Sequence, residues 1–161
     1  MRVLQNLLKE DVSVRDLRSI LETLADWAPH SQDTDMLTEQ VRQGMARTIS
    51  AKYSQDNEYL PVLTLERSLE ASIREAIHTT DQGAYLALDP ELAQQLLSAL
   101  SDRIQDVASA VTPVLLCPPN IRLHVKRLTE RYLPQLAVLS HNEIAPHLRV
   151  RAIGTVSAHA S

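Results

Sequence analysis

The chain has 161 residues, of which 44% are hydrophobic and 22% charged, a globular composition that excludes a disordered chain and a fibre. Net charge is −4, split between −8 over residues 1–119 and +4 over 120–161; such a split suits protein partners better than nucleic acid, whose binders are more often basic overall and supply stacking aromatics. The single cysteine, Cys117, excludes an intramolecular disulfide and a Cys-based zinc site and argues for a reducing compartment, while the lack of any run near 18 apolar residues, or of a signal-peptide core, predicts a soluble chain.

With 3% aromatic residues and no Phe, the core must be built from Leu, Ile, Val and Ala, a composition that favours helices. Residues 1–57 read as helices only, because apolar residues recur at three and four rather than two. Val3, Leu4, Leu7 and Leu8 make a first short stripe. A second helix is expected from Ser13, capped through a Ser-x-x-Asp box with Asp16, its broad face carrying Leu17, Ile20, Leu21, Leu24 and Trp27 until Pro29 stops it. A third is expected from Thr34 or Asp35, with Leu37, Val41, Met45 and Ile49 at a spacing of four.

From residue 58 the character changes. Leu60–Leu65 reads as a strand, and Leu69, Ile73, Ala76 and Ile77 as the next helix. Asp81–Gly83 is a turn, and Tyr85–Leu88 a short edge strand. Asp89 caps a long helix with Pro90 at its first position, where a missing amide proton costs nothing, and Leu92, Leu96, Leu100, Ile104 and Val107 form its stripe. Pro113–Cys117 and Leu136–Leu139 are continuous apolar runs, the pattern of strands covered on both faces, with a helix over Ile121, Val125, Leu128 and Tyr132 between them; strand, helix, strand implies a parallel crossover. Leu148, Val150 and Ala152 alternate with Arg149 and Arg151, a strand with one wet face at a sheet edge. The fold class is α+β: a small all-helical subdomain over 1–57, then an α/β subdomain over 58–161 with a short mixed, partly parallel sheet.

Catalytic signals are sparse. Three glycines, at 44, 83 and 154, cannot assemble a phosphate-cradling loop or a dinucleotide turn, so no cofactor is expected. The six histidines lack the paired spacing of metal ligands, and His141 and His147 around Glu143 read as an exposed loop more readily than as a metal site. Cys117 ends an apolar strand and reads as a packed thiol, with a thiol or hydrolytic enzyme as the rival. No triad can be drawn around Ser140 and His141. The better lead is basic: Arg122 with Lys126, and Arg127 with Arg131, fall at i, i+4 on the side away from Ile121, Val125 and Leu128, which predicts either a solvated helix face or a dock for an acidic partner. Trp27 beside Pro29 has a similar choice between closing the core and anchoring a partner.

Four stretches then look familiar together and in order: VSVRDLRSILETLADWAP at 12–29, LTEQVRQGMARTIS at 37–50, TPVLLCPPNIR at 112–122 and PQLAVLSHNEIAP at 134–146. They resemble the C-terminal region of the FlhA/LcrD/InvA export-gate family of flagellar and injectisome type III secretion systems, and the wording of the first inclines to the flagellar branch. The resemblance implies the last two of four cytoplasmic subdomains, helical then α/β, below a membrane part that would precede this chain and be its sole tie to the inner membrane. It further implies a non-enzymatic role in ring assembly and in receiving export substrates, chaperone–substrate complexes and the export ATPase apparatus. The primary chaperone groove of flagellar members would lie upstream. Subunit contact is then expected at Arg15 and Arg18, and partner binding at Arg122, Lys126, Arg127 and Arg131.

Overall fold

The computed structural model describes residues 2–107 and 111–157. These divide into two units: the described residues up to Lys52 together with Asn142–Pro146, and Tyr53–His141 with the described residues from His147 onward. The helical unit therefore takes a short segment from far beyond the boundary expected after residue 57.

In the helical unit, α1 (Arg2–Lys9) buries Val3 and Leu7 and leaves Leu8 exposed. The second helix, α2 (Leu17–Trp27), starts later than the capping pattern suggested. Its cap is Asp16, whose carboxylate accepts hydrogen bonds from the Ser19 amide at 3.2 Å and the Ser19 hydroxyl at 2.6 Å, while Ser13 accepts from the Arg15 amide. Those two bonds from Ser19 hold the Asp16 carboxyl below its ordinary value. The single third helix is two, α3 (Thr34–Gly44) and α4 (Ala46–Tyr53), broken at Met45, where φ is −107° and ψ 22°. The apolar stripe survives the break, with Val41, Met45 and Ile49 all buried. The Asn142–Pro146 segment is tied to α4 by Ser50, whose hydroxyl accepts from the Ala145 amide at 3.0 Å and donates to the Ala46 carbonyl at 2.6 Å.

The second unit runs β1 (Tyr59–Leu65), α5 (Arg67–Glu75), β2 (Ile77–Thr80), β3 (Gly83–Leu86), α6 (Pro90–Gln105), β4 (Val114–Cys117), α7 (Pro119–Thr129), β5 (Ala137–Ser140) and β6 (Arg149–Val156), with a 3-10 turn at His141–Glu143. Four strands form one sheet in the order β5-β4-β1-β6, every neighbouring pair parallel, and β2 and β3 form a separate antiparallel pair. The expected edge position of the last strand holds. All four residues of β4 are buried, as a central parallel strand requires. Leu115 and Cys117 join the core of Leu63, Leu65, Ile73 and Leu100. Asp89 caps α6 through its carboxylate on the Glu91 amide, with Pro90 in the first turn.

The sequence reading carried α5 through Ile77, but the helix ends at Glu75. Ile77, Thr79 and Thr80 are β-branched and pair with Leu86, Ala84 and Gly83 across a two-residue turn, after which Gly83 takes φ +122°. Among the described residues no helix is long and apolar enough to cross a membrane.

Candidate functional site

The α7 cations do not form the solvated face expected of them. Arg122 is fully buried and Lys126 nearly so, whereas Arg127 and Arg131 are exposed. The cause lies in the register of β5. The Ala137 amide donates to the Pro113 carbonyl, so the main chain of Ala137 faces β4 and, by the alternation of a strand, Leu136 and Val138 direct their carbonyls to the open side. Arg122 Nη1 donates to the Val138 carbonyl at 3.0 Å and Lys126 Nζ to the Leu136 carbonyl at 2.9 Å. An i, i+4 pair of long cations thus spans two successive outward carbonyls of the edge strand. Both side chains hold β5 and cannot receive an acidic partner as placed.

The 141–147 region is likewise not the exposed loop expected. His141 and His147 are exposed, but Glu143 is only 1% exposed. Its carboxylate takes a two-pronged hydrogen bond from Arg42 of α3, Nε to Oε2 at 3.0 Å and Nη2 to Oε1 at 2.9 Å, and Arg42 Nη1 lies 3.7 Å from Glu10 Oε2. This buried pair fastens Asn142–Pro146 within the helical unit. His147 faces Asn57 at 3.1 Å. Among the described residues no group of three His, Cys, Asp or Glu side chains could hold a metal ion.

Cys117 is buried, its thiol 3.8 Å from the Leu139 carbonyl. A groove of about 310 Å³ lies between α5 and the start of α6, floored by Leu69 and Leu92 and rimmed by Ser68, Ser72, Asp89 and Glu91; neither Cys117 nor a histidine lines it.

The helical unit offers a different surface. Of the α2 stripe only Ile20 is buried; Leu17 is 48% and Leu21 52% exposed, and Trp27, edge-on to His30, is 38% exposed. Sequence periodicity placed these residues on one broad face and left Trp27 between closing the core and anchoring a partner, and nothing in the pattern distinguishes a face turned to this chain's interior from one turned outward. Arg15 and Arg18 flank this face, both exposed, with Arg18 3.2 Å from Glu22 one turn along the helix. Leu17 and Leu21, one turn apart, thus share an outward apolar face of α2.

Comparison with known proteins follows the same line. The model of the FHIPEP family matches residues 1–149. The chain is 40% identical over 156 residues to the flagellar biosynthesis protein FlhA of Bacillus subtilis, covering 96% of this chain and 23% of that protein. It is 34% identical over 155 residues to the low calcium response locus protein D of Yersinia pestis, covering 96% of this chain and 22% of that protein. Among solved structures, the Chlamydia pneumoniae CdsV protein superposes with a TM-score of 0.91 at 37% identity, over 97% of this chain and 45% of that one. The nonameric EPEC SctV-C gives 0.86 at 34%, over 96% and 47%, and the Chlamydia pneumoniae CdsV and CdsO complex gives 0.87 at 36%, over 97% and 46%. The chain thus spans about a quarter or less of the length of these curated relatives.

Proposed function

This chain belongs to the FHIPEP family, and from that premise we propose that it is a non-enzymatic module of a flagellar or type III secretion export gate, supporting ring assembly and docking of export partners. The observation that carries the reading is the open α2 face, Leu17 and Leu21 with Arg15 and Arg18 beside them, on a chain whose similar structures include a nonameric assembly. Covering the exposed half of each leucine is worth roughly 1 kcal/mol apiece. A neighbouring subunit is the natural occupant of that face, with the two arginines at its rim setting register. The helical and α/β units would correspond to the third and fourth cytoplasmic subdomains of a gate anchored in the inner membrane by its N-terminal part.

Partner docking falls to the α/β unit. A similar protein solved in complex with CdsO supports a protein partner for this module, and chaperone–substrate complexes and the ATPase apparatus are the expected classes. With Arg122 and Lys126 buried against β5, the exposed Arg127 in the last turn of α7 and Arg131 just beyond the helix are the cations placed to meet an acidic partner. In the full-length gene product, Leu17→Glu with Leu21→Glu is expected to abolish rings in electron micrographs and to stop secretion. The same pair in the isolated chain should leave its melting temperature unchanged. Intact rings in the double variant would refute the assignment of this face.

A further inference from the structure

The two edges of the parallel sheet are finished differently. At β5 the outward carbonyls of Leu136 and Val138 are taken by Lys126 and Arg122. At β6, among the described residues, no strand pairs with the outer side. The Arg149 amide donates to the Glu58 carbonyl, so the main chain of Arg149 faces β1, and alternation turns the N–H and C=O of Val150 and Ala152 away from the sheet. Only Val156 of the eight residues in this strand is buried, and Val150 and Ile153 are 45% and 47% exposed. Ile153 is an extra residue, since Val62 pairs with Ala152 and Leu63 with Gly154; a bulge of this kind commonly ends pairing at an edge. The stretch of β6 before it remains regular.

Cations surround that regular stretch. Arg149 and Arg151 pair with Tyr59 and Pro61 and so share one face of the sheet, with the Arg151 guanidinium 4.3 Å from the centre of the Tyr59 ring. Arg103, near the end of α6, runs beside Gly154: a Cβ built there would lie 3.6 Å from its Cδ. All three arginines are exposed, and among the described residues none is paired with a carboxylate. An open edge that meets nothing is a hazard, and lysine or proline usually blunts it; here arginines line it and two apolar side chains stay uncovered.

We propose that β6 is a docking strand for an extended acidic segment of a partner protein, which adds to the sheet beside Val150 and Ala152 through main-chain hydrogen bonds and sets its carboxylates against Arg149, Arg151 and Arg103. Main-chain pairing supplies affinity and the arginines supply selection for charge. Free main-chain donors and acceptors at strand spacing favour a polypeptide over a nucleic acid, and the charge favours an acidic one. The inference concerns β6 alone and stands apart from the ring-forming role of α2.

The probe is a blocked octapeptide of alternating Glu and Val carrying a fluorophore, titrated with the 161-residue chain and read by anisotropy. Binding should weaken at least tenfold when Lys replaces Glu, and by a similar factor when alternate peptide nitrogens are methylated so that no strand can pair. Ala152→Pro removes only an outward N–H, which an edge strand tolerates; it should keep the melting temperature and lose the peptide. Arg149→Glu with Arg151→Glu should reverse the preference between the Glu and Lys peptides. Equal binding of the two peptides, or full binding by the methylated one or by Ala152→Pro, would overturn the proposal. Self-association of the chain that Ala152→Pro abolishes, without peptide binding, would give the edge to a second copy and overturn it equally.

Discussion

The helical unit and the α/β unit both bury cations, and they compensate the charge in opposite ways. In the helical unit Arg42 meets carboxylates, Glu143 at 2.9 Å and Glu10 at 3.7 Å. In the α/β unit Arg122 and Lys126 meet main-chain carbonyls of β5. The first arrangement fastens a segment distant in sequence and fails if either partner is lost. The second finishes a sheet edge, and losing one of its cations leaves a main-chain carbonyl without its donor. The units differ on the outside too: the helical unit turns leucines of α2 outward, while the α/β unit packs the apolar residues of β4 and α7 inward.

The largest effect that would break this contrast is at Glu143. Glu143→Ala removes the two short hydrogen bonds of buried Arg42 and leaves it only the more distant Glu10 carboxylate at 3.7 Å, and is expected to destabilise the helical unit by about 3 kcal/mol in urea unfolding. Arg42→Met together with Glu143→Leu should recover most of that loss, because the two deeply buried charges are removed together and the remaining Glu10 carboxylate is partly exposed. For the same reason residues 1–57 expressed alone, which retain Arg42 but lack Glu143, should show weak amide protection around α3.

Next in size, Arg122→Met should cost about 1–3 kcal/mol by leaving the Val138 carbonyl without its donor, measurable as a lower denaturation midpoint with an unchanged slope. Arg127→Glu in the last turn of α7 and Arg131→Glu just beyond it, both exposed, should stay within about 0.5 kcal/mol of the parent. A cost at Arg131 matching that at Arg122 would erase the distinction between inward and outward cations.

The smallest effect is at the cap of α2. The folded Asp16 carboxyl titrates below its ordinary value because Ser19 donates to its charged form. Its contribution to stability is therefore present above the unfolded value and is lost as pH falls through the lower folded one. Asp16→Ala should flatten the acid limb of the stability profile slightly and leave neutral pH behaviour of the α/β unit untouched.

How much of this was legible in the sequence follows the same division. In the α/β unit, β4, α6 and α7 could be read directly, because each carries its own signal: an unbroken apolar run, an Asp-Pro start, a double proline before a helix. The β2–β3 pair was hidden because Ile77 continues the helical spacing of Leu69 and Ile73, and only pairing with Leu86 reveals it as strand. The i, i+4 spacing of Arg122 and Lys126 was plain, yet their direction depended on which carbonyls β5 leaves free, a property of register and not of α7. In the helical unit the stripe on α2 was legible but its outward direction was not, since periodicity reports a face and not what covers it. The pairing of Arg42 with Glu143 spans a sequence separation of 101 residues, and no local pattern could announce it.

The central claim is that the open α2 face is covered by a neighbouring subunit. The most direct measurement places a cysteine at the exposed Arg18 position (Arg18→Cys) in the full-length gene product and treats assembled membranes with a short thiol-reactive bifunctional cross-linker directed at any nearby nucleophile. The account predicts cross-linked multimers, lost when Leu21→Glu is added. Monomers alone, from rings shown intact by electron microscopy, would contradict it.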